Sequence, residues 1–169
     1  MRNIKIGFSK SKKKFPIFSW LIRLVDDKRF SHVYVKWIMK SGTSIIYQAS
    51  GHAVNFIGNK RFETNNTIYQ EFVFEMSDEK FQEFLDWAVD NSGAPYSPML
   101  GVGICLSKLF NLKINVLASN DSFVCSKIAG YFFDKFVKDF YSDENKSDVL
   151  MPSDIYKLCL GVKNDIPQN

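Results

Sequence analysis

Alternation of apolar and polar residues runs through the first half of the chain. Between residues 30 and 38, Val33, Val35 and Trp37 fall on one side of an extended segment and His32, Tyr34 and Lys36 on the other, the period of two that marks a strand. The β-branched and aromatic content of this stretch agrees with that reading. Lys40-Ser41-Gly42-Thr43 then reads as a turn and residues 44–50 as a returning strand, so 31–50 forms a hairpin. The first side is the better core face, which turns His32 towards the side that carries polar groups. Residues 3–8 form an earlier strand ending at Gly7-Phe8-Ser9. Residues 53–57 follow the Gly51-His52 turn as a third strand in this region. Residues 67–76 alternate again, with Tyr69, Glu71, Val73 and Glu75 on one side.

A helical period takes over elsewhere. Pro16 suits the first turn of a helix reaching Val25, with Ile17, Leu21 and Leu24 on one face. Ser77 caps a helix over 78–91 in which Phe81, Phe84, Leu85, Ala88 and Val89 recur at three-and-four spacing, with Asp78 and Glu79 in the first turn and Gly93 at the end. Residues 94–98 form a rigid loop. Residues 99–110 are apolar and helical despite Gly101 and Gly103. Residues 115–118 read as a brief strand. Asp121 and Ser122 are candidate caps for a helix whose apolar positions are Ile128, Ala129, Phe132 and Phe136. A polar loop at 142–147 and a short helix over 152–158 complete the chain, with a frayed tail from about residue 162. No repeat or linker interrupts it. The expectation is one α+β domain over residues 1–169, with helices packed on a small antiparallel sheet.

Composition narrows the class. At 169 residues and 46 % hydrophobic, with 16 Phe, the chain is globular and long enough to bury a core. The net charge of +4 is mild, and the one dense basic run is Lys10-Ser11-Lys12-Lys13-Lys14. Such a run touches phosphate, nucleic acid or an anionic membrane surface, or is simply a solvated loop. A nucleic-acid role would show as binding that weakens steeply with salt, and no nucleic-acid partner is expected. No signal peptide and no transmembrane segment is legible, which places the chain in a cytoplasm. The 3 cysteines are widely spaced and form no Cys-x-x-Cys pair, so neither a disulfide framework nor a structural zinc site is expected.

The chemistry centres on Cys125. It falls in the first turn of its helix, where unpaired N–H groups and the helix dipole favour a thiolate. Cys105 and Cys159 read as small buried hydrophobes. Histidine is scarce: His32 lies inside a strand and His52 at a turn. If the hairpin turn permits, Ile46, Gln48 and Ser50 share the face of His32. Gln48 can then hold one ring nitrogen and leave the other for a thiol, a nucleophile–base–orienter arrangement. The plainer reading of His32 is a structural strand histidine.

Together these pieces resemble a known family. Phe30-Ser31-His32-Val33, Tyr47-Gln48-Ala49-Ser50-Gly51, Phe123-Val124-Cys125-Ser126 and Leu150-Met151-Pro152-Ser153-Asp154-Ile155 resemble, in that order, segments of the circularly permuted NlpC-type papain-like amidases and peptidases. That branch holds the YiiX-like proteins and the lecithin:retinol acyltransferase relatives. The resemblance implies a permuted papain-like fold and a thiol hydrolase or acyltransferase that works through a thioacyl intermediate, without metal or organic cofactor. It implies Cys125 as nucleophile, His32 as general base and Gln48 at the third polar position, where relatives use His or Glu. His52 competes for that last role. Tyr96, in Gly93-Ala94-Pro95-Tyr96, resembles a family tyrosine beside the cleft that positions substrate or oxyanion. Substrate classes that fit are peptides, peptidoglycan stems and lipid acyl groups, read by the lysine loop, residues 59–66 and residues 94–100. The alternative is an inactive member of the fold that binds a peptide or lipid in the same cleft.

Overall fold

The strands are β1 (Arg2–Ser11), β2 (His32–Ile38), β3 (Ser44–Ser50), β4 (Ala53–Gly58) and β5 (Asn66–Met76). They join into one antiparallel sheet in the order β4-β3-β2-β1-β5. The computed structural model describes residues 1–12, 17–112, 115, 117, 122–137 and 150–164. Among these residues six helices accompany the sheet: α1 (Ile17–Val25), α2 (Asn59–Asn65), α3 (Asp78–Asp90), α4 (Pro98–Leu109), α5 (Cys125–Phe132) and α6 (Pro152–Asn164). The fold is therefore α+β, built on an antiparallel sheet.

One sheet face carries the main core. Ile4, Ile6, Phe8, Val33, Val35, Trp37, Tyr47, Phe72 and Phe74 meet Phe81 and Phe84 of α3, Ile128 and Phe132 of α5, and Ile155 of α6. The alternation of β2 lands as expected, with Val33, Val35 and Trp37 inward. On the opposite face Tyr34, Ile46 and Phe62 form a second, smaller cluster beneath α2. Beside that cluster Glu71 accepts from Lys5 at 2.8 Å, and from Lys36 and the Tyr34 hydroxyl at 3.0 Å each. A third cluster joins Ile22 of α1 to Leu100, Ile104 and Cys105 of α4.

Several expectations give way to tertiary context. β1 runs on to Ser11, because Lys10 and Ser11 pair with Thr67 and Asn66 of β5. The basic run thus begins inside a strand, while Lys13 and Lys14 lie outside the described residues. Residues 59–65 form α2 rather than a loop; a single apolar side chain, Phe62, anchors it. Tyr69 does not share a side with Glu71. The β1–β5 register shifts between Phe8 and Ser9, an inserted residue that reverses the alternation, and Tyr69 packs on Phe30 and Tyr156 of the core face.

Among the described side chains of α1, Ile22 is buried, whereas Leu24 is exposed. In α3 Val89 is likewise exposed, while Phe81, Phe84 and Ala88 are buried and Ser77 caps the helix through the N–H of Lys80. Gly103 of α4 has a packing reason, since a Cβ there would collide with the side chain of Asn115. The brief strand expected over 115–118 is not present at Asn115 or Leu117, and 116 and 118 lie outside the described residues, as do Pro16 and the loop at 142–147. α6 extends to Asn164, beyond the expected end at Leu158.

Cys125 opens its helix without a side-chain cap. Val124 holds the N-cap position, Asp121 lies outside the described residues, and the buried Ser122 hydroxyl finds no partner among them. After Phe132 the helix loosens into a π turn, Phe133–Val137. Phe132, Phe133 and Phe136 are all buried there.

Candidate active site

The backbone ladder between β2 and β3 covers Val35↔Tyr47 through Ile38↔Ser44 and stops there. His32 on β2 and Gln48 on β3 lie just past the last pair, and their side chains meet across the gap: His32 Nε2 and Gln48 Oε1 are 2.7 Å apart. Past the end of the ladder, the Val33 N–H donates to the sulfur of Cys125 instead of to a β3 carbonyl. The N-terminus of α5 thus fits where β2 and β3 cease to pair. Cys125 reaches β2 one residue from His32, although ninety-odd positions separate them in the chain.

A chain of hydrogen bonds fixes the imidazole. Asn55, opposite Gln48 on β4, gives its Nδ2 protons to the carbonyls of Ala53 (3.0 Å) and Ser50 (3.4 Å). Its Oδ1 is left to accept from Gln48 Nε2 at 3.4 Å. That contact turns Gln48 Oε1 towards His32. A carbonyl oxygen only accepts, so His32 Nε2 carries the proton and Nδ1 keeps its lone pair. Phe62 and Tyr34 lie 6.2 and 6.4 Å from the imidazole, centroid to centroid, and restrict its tilt.

Burial sets the charge states. It lowers the His32 pKa to about 4, against the smaller upward pull of Gln48. The Cys125 thiol is pushed up, with burial again the largest cause. The N–H groups of Val33, Ser126 and Cys125 itself favour the thiolate, and the Asp26 charge opposes it. The dipole and N–H groups expected to favour the thiolate are thus present but outweighed. At neutral pH the pair is thiol and neutral imidazole, not thiolate and imidazolium. Among the described residues no hydrogen bond joins sulfur and imidazole.

A cleft of about 700 Å³ runs over these groups, and His32, Gln48, Cys125, Tyr96, Asn55 and Arg61 are among its lining residues. Tyr96 is held by its N–H to the His52 carbonyl at 3.0 Å and by pairing with Phe123. Its phenol is pushed well above the usual range by burial and by the nearby Cys125 and Cys105. His52 is exposed, and Gln48, not His52, touches His32.

Of the sequence candidates, Cys125, His32, Gln48 and Tyr96 converge on one cleft. Sequence alone points to neither Asn55 nor Arg61: the signal for Asn55 is a polar residue in register with Gln48, and Arg61 lies in a polar stretch with a single apolar side chain. Among the described residues no group of three His, Cys, Asp or Glu side chains is placed to hold a metal ion, and no helix is long and apolar enough to cross a membrane. Comparison of this chain with protein-family models, with curated proteins and with solved structures finds no match.

Proposed function

We propose that the chain is a thiol hydrolase of the permuted papain-like type, an amidase, peptidase or acyltransferase. The observation that carries the reading is the meeting, in one cleft, of a helix-opening cysteine and a histidine whose tautomer leaves Nδ1 free to take a proton. The order His32, Gln48, Cys125 along the chain agrees with the permuted arrangement.

The reaction proceeds from a neutral pair. As a carbonyl carbon approaches Cys125, His32 Nδ1 takes the thiol proton and the sulfur bonds to that carbon. The carbonyl oxygen becomes an oxyanion, which the N–H of Cys125 at the start of α5 helps to hold. Collapse expels the amine or alcohol, which receives the proton from His32. A thioester remains on Cys125. Water, deprotonated by His32, or another acceptor then releases the acyl group. Gln48 fixes the ring but lacks the charge of a carboxylate, so the imidazolium formed on the way gains less stabilisation than in a Cys-His-Asp site.

The raised thiol and lowered imidazole favour a second reading, an inactive fold member that binds a peptide or lipid in the cleft. Incubation with p-nitrophenyl acetate separates the two. The hydrolase forms one acetyl thioester, mapped by mass spectrometry to Cys125 and absent in Cys125→Ala. Acetylation spread over lysines, with none at Cys125, leaves only the binder.

A further inference from the structure

Among the described residues that line the cleft there is one formal positive charge and no carboxylate. Of these described residues only Arg61 is charged at neutral pH, since His32 stays neutral and the Cys125 and Tyr96 protons are retained. Arg61 lies on α2 and is exposed. Its guanidinium has no hydrogen bond or ion pair among the described residues. Several cations on neighbouring elements are engaged: Lys5 and Lys36 with Glu71, Arg29 with Asp27, and Lys12 with the Glu63 carbonyl. An arginine with no partner among the described residues, on the wall of a cleft whose described lining has no acidic group, is an unused fork of donors whose complement is an oxyanion.

The chemistry of the walls narrows that anion. Asn55, Phe56 and Ile57 of the edge strand β4 form one side, and Ser11, Asn65 and Asn66 lie at the α2 end. The amide and hydroxyl groups among them suit the backbone of a short peptide, and Ile22, Phe56, Ile57 and Pro98 suit its apolar side chains. One guanidinium neutralises one carboxylate, whereas a phosphate monoester, carrying close to two negative charges, would leave charge unpaired inside the cleft.

We propose that Arg61 is a specificity-determining residue of the cleft, recognising a carboxylate on a short peptide substrate whose scissile carbonyl lies at Cys125. The assignment rests on the thiol-hydrolase reading for its scissile bond. The anion preference itself does not depend on turnover.

The test uses two iodoacetyl-dialanine probes, one ending in a carboxylate and one in a carboxamide. Each alkylates Cys125 as its sulfur bonds to the methylene carbon, iodide leaves and the thiol proton passes to buffer. Rates are divided by those of the same probes with free cysteine. At low salt the carboxylate probe is expected to be favoured about three- to tenfold, and the preference to vanish in Arg61→Gln. A preference that survives Arg61→Gln, or one for the carboxamide, overturns the assignment. A phosphonate-ended probe favoured over the carboxylate overturns the carboxylate class. Should no probe modify Cys125, the hydrolase reading fails, and the unreactive N-acetyl-dialanine pair decides the Arg61 assignment by NMR titration. Tighter binding of the carboxylate, lost in Arg61→Gln, upholds it; equal binding rejects it.

Discussion

Burial and hydrogen bonding pull Cys125 in opposite directions, and burial wins. Three backbone N–H groups face the sulfur, yet its proton is held more tightly than in an ordinary thiol. On the proposed hydrolase reading, His32 therefore takes the proton during bond formation rather than before it. Alkylation by iodoacetamide should follow: the rate at Cys125 is expected to climb with pH to a midpoint above the ordinary thiol value, without the plateau from mildly acidic pH that a preformed ion pair gives. A midpoint below neutrality would contradict these charge states. At this scale the meeting of His32 and Gln48 was legible, because strand alternation fixes which residues share a face, and the structure brings Cys125 to the same cleft. The charge states were not legible, since they follow from desolvation that depends on what covers each group.

Elements position these residues through two devices. Where the β2–β3 ladder stops, the end of α5 replaces a strand partner; on the far face, α2 lays Phe62 beside His32 and Tyr34. Tyr34 in turn lies over Gly7 of β1, where any Cβ would enter its ring. Gly7→Ala is expected to lower stability by about 2 kcal/mol through overpacking, read as a lower denaturant midpoint at unchanged slope. Retained stability would show that Tyr34 is free to move. The strands and α3 were readable because each repeats its period over several residues. α2 was not, because Asn59-Lys60-Arg61-Phe62-Glu63-Thr64-Asn65 holds one apolar side chain, from which no period can be measured. Nor was the β5 register shift, which depends on its pairing with β1, or the true start of α5, where Ser122 resembled a cap.

The whole molecule gathers these local balances into one pH dependence. Between about pH 6.5 and 4 the unfolded chain protonates at His32 while the folded chain does not. Stability therefore falls as pH falls through that window, and His32 contributes no dependence above it. Glu71 behaves as a stabilising carboxylate. Burial acts against its charge, but Lys5, Lys36 and Tyr34 outweigh it and hold the group below its ordinary value. Its contribution persists above the ordinary carboxylate value and is lost last, as pH falls through its folded value. Denaturant unfolding of wild type and His32→Gln across this range should differ by a slope of at most about 1.4 kcal/mol per pH unit. Parallel curves would place His32 in solvent. The α+β class and antiparallel sheet were legible at this scale from the order of periods. The cleft was not, since it arises where β2, β4, α2, α5 and the Tyr96 loop converge.

The role proposed for His32 is that of base for the sulfur of Cys125. Its most direct test is the rate at which Cys125 is acylated by p-nitrophenyl acetate at neutral pH, in wild type and in His32→Ala of matched stability. A loss on the order of 10²- to 10⁴-fold is predicted, the range of general-base catalysis. Equal rates in the two proteins would contradict the account, leaving a buried thiol beside a structural histidine.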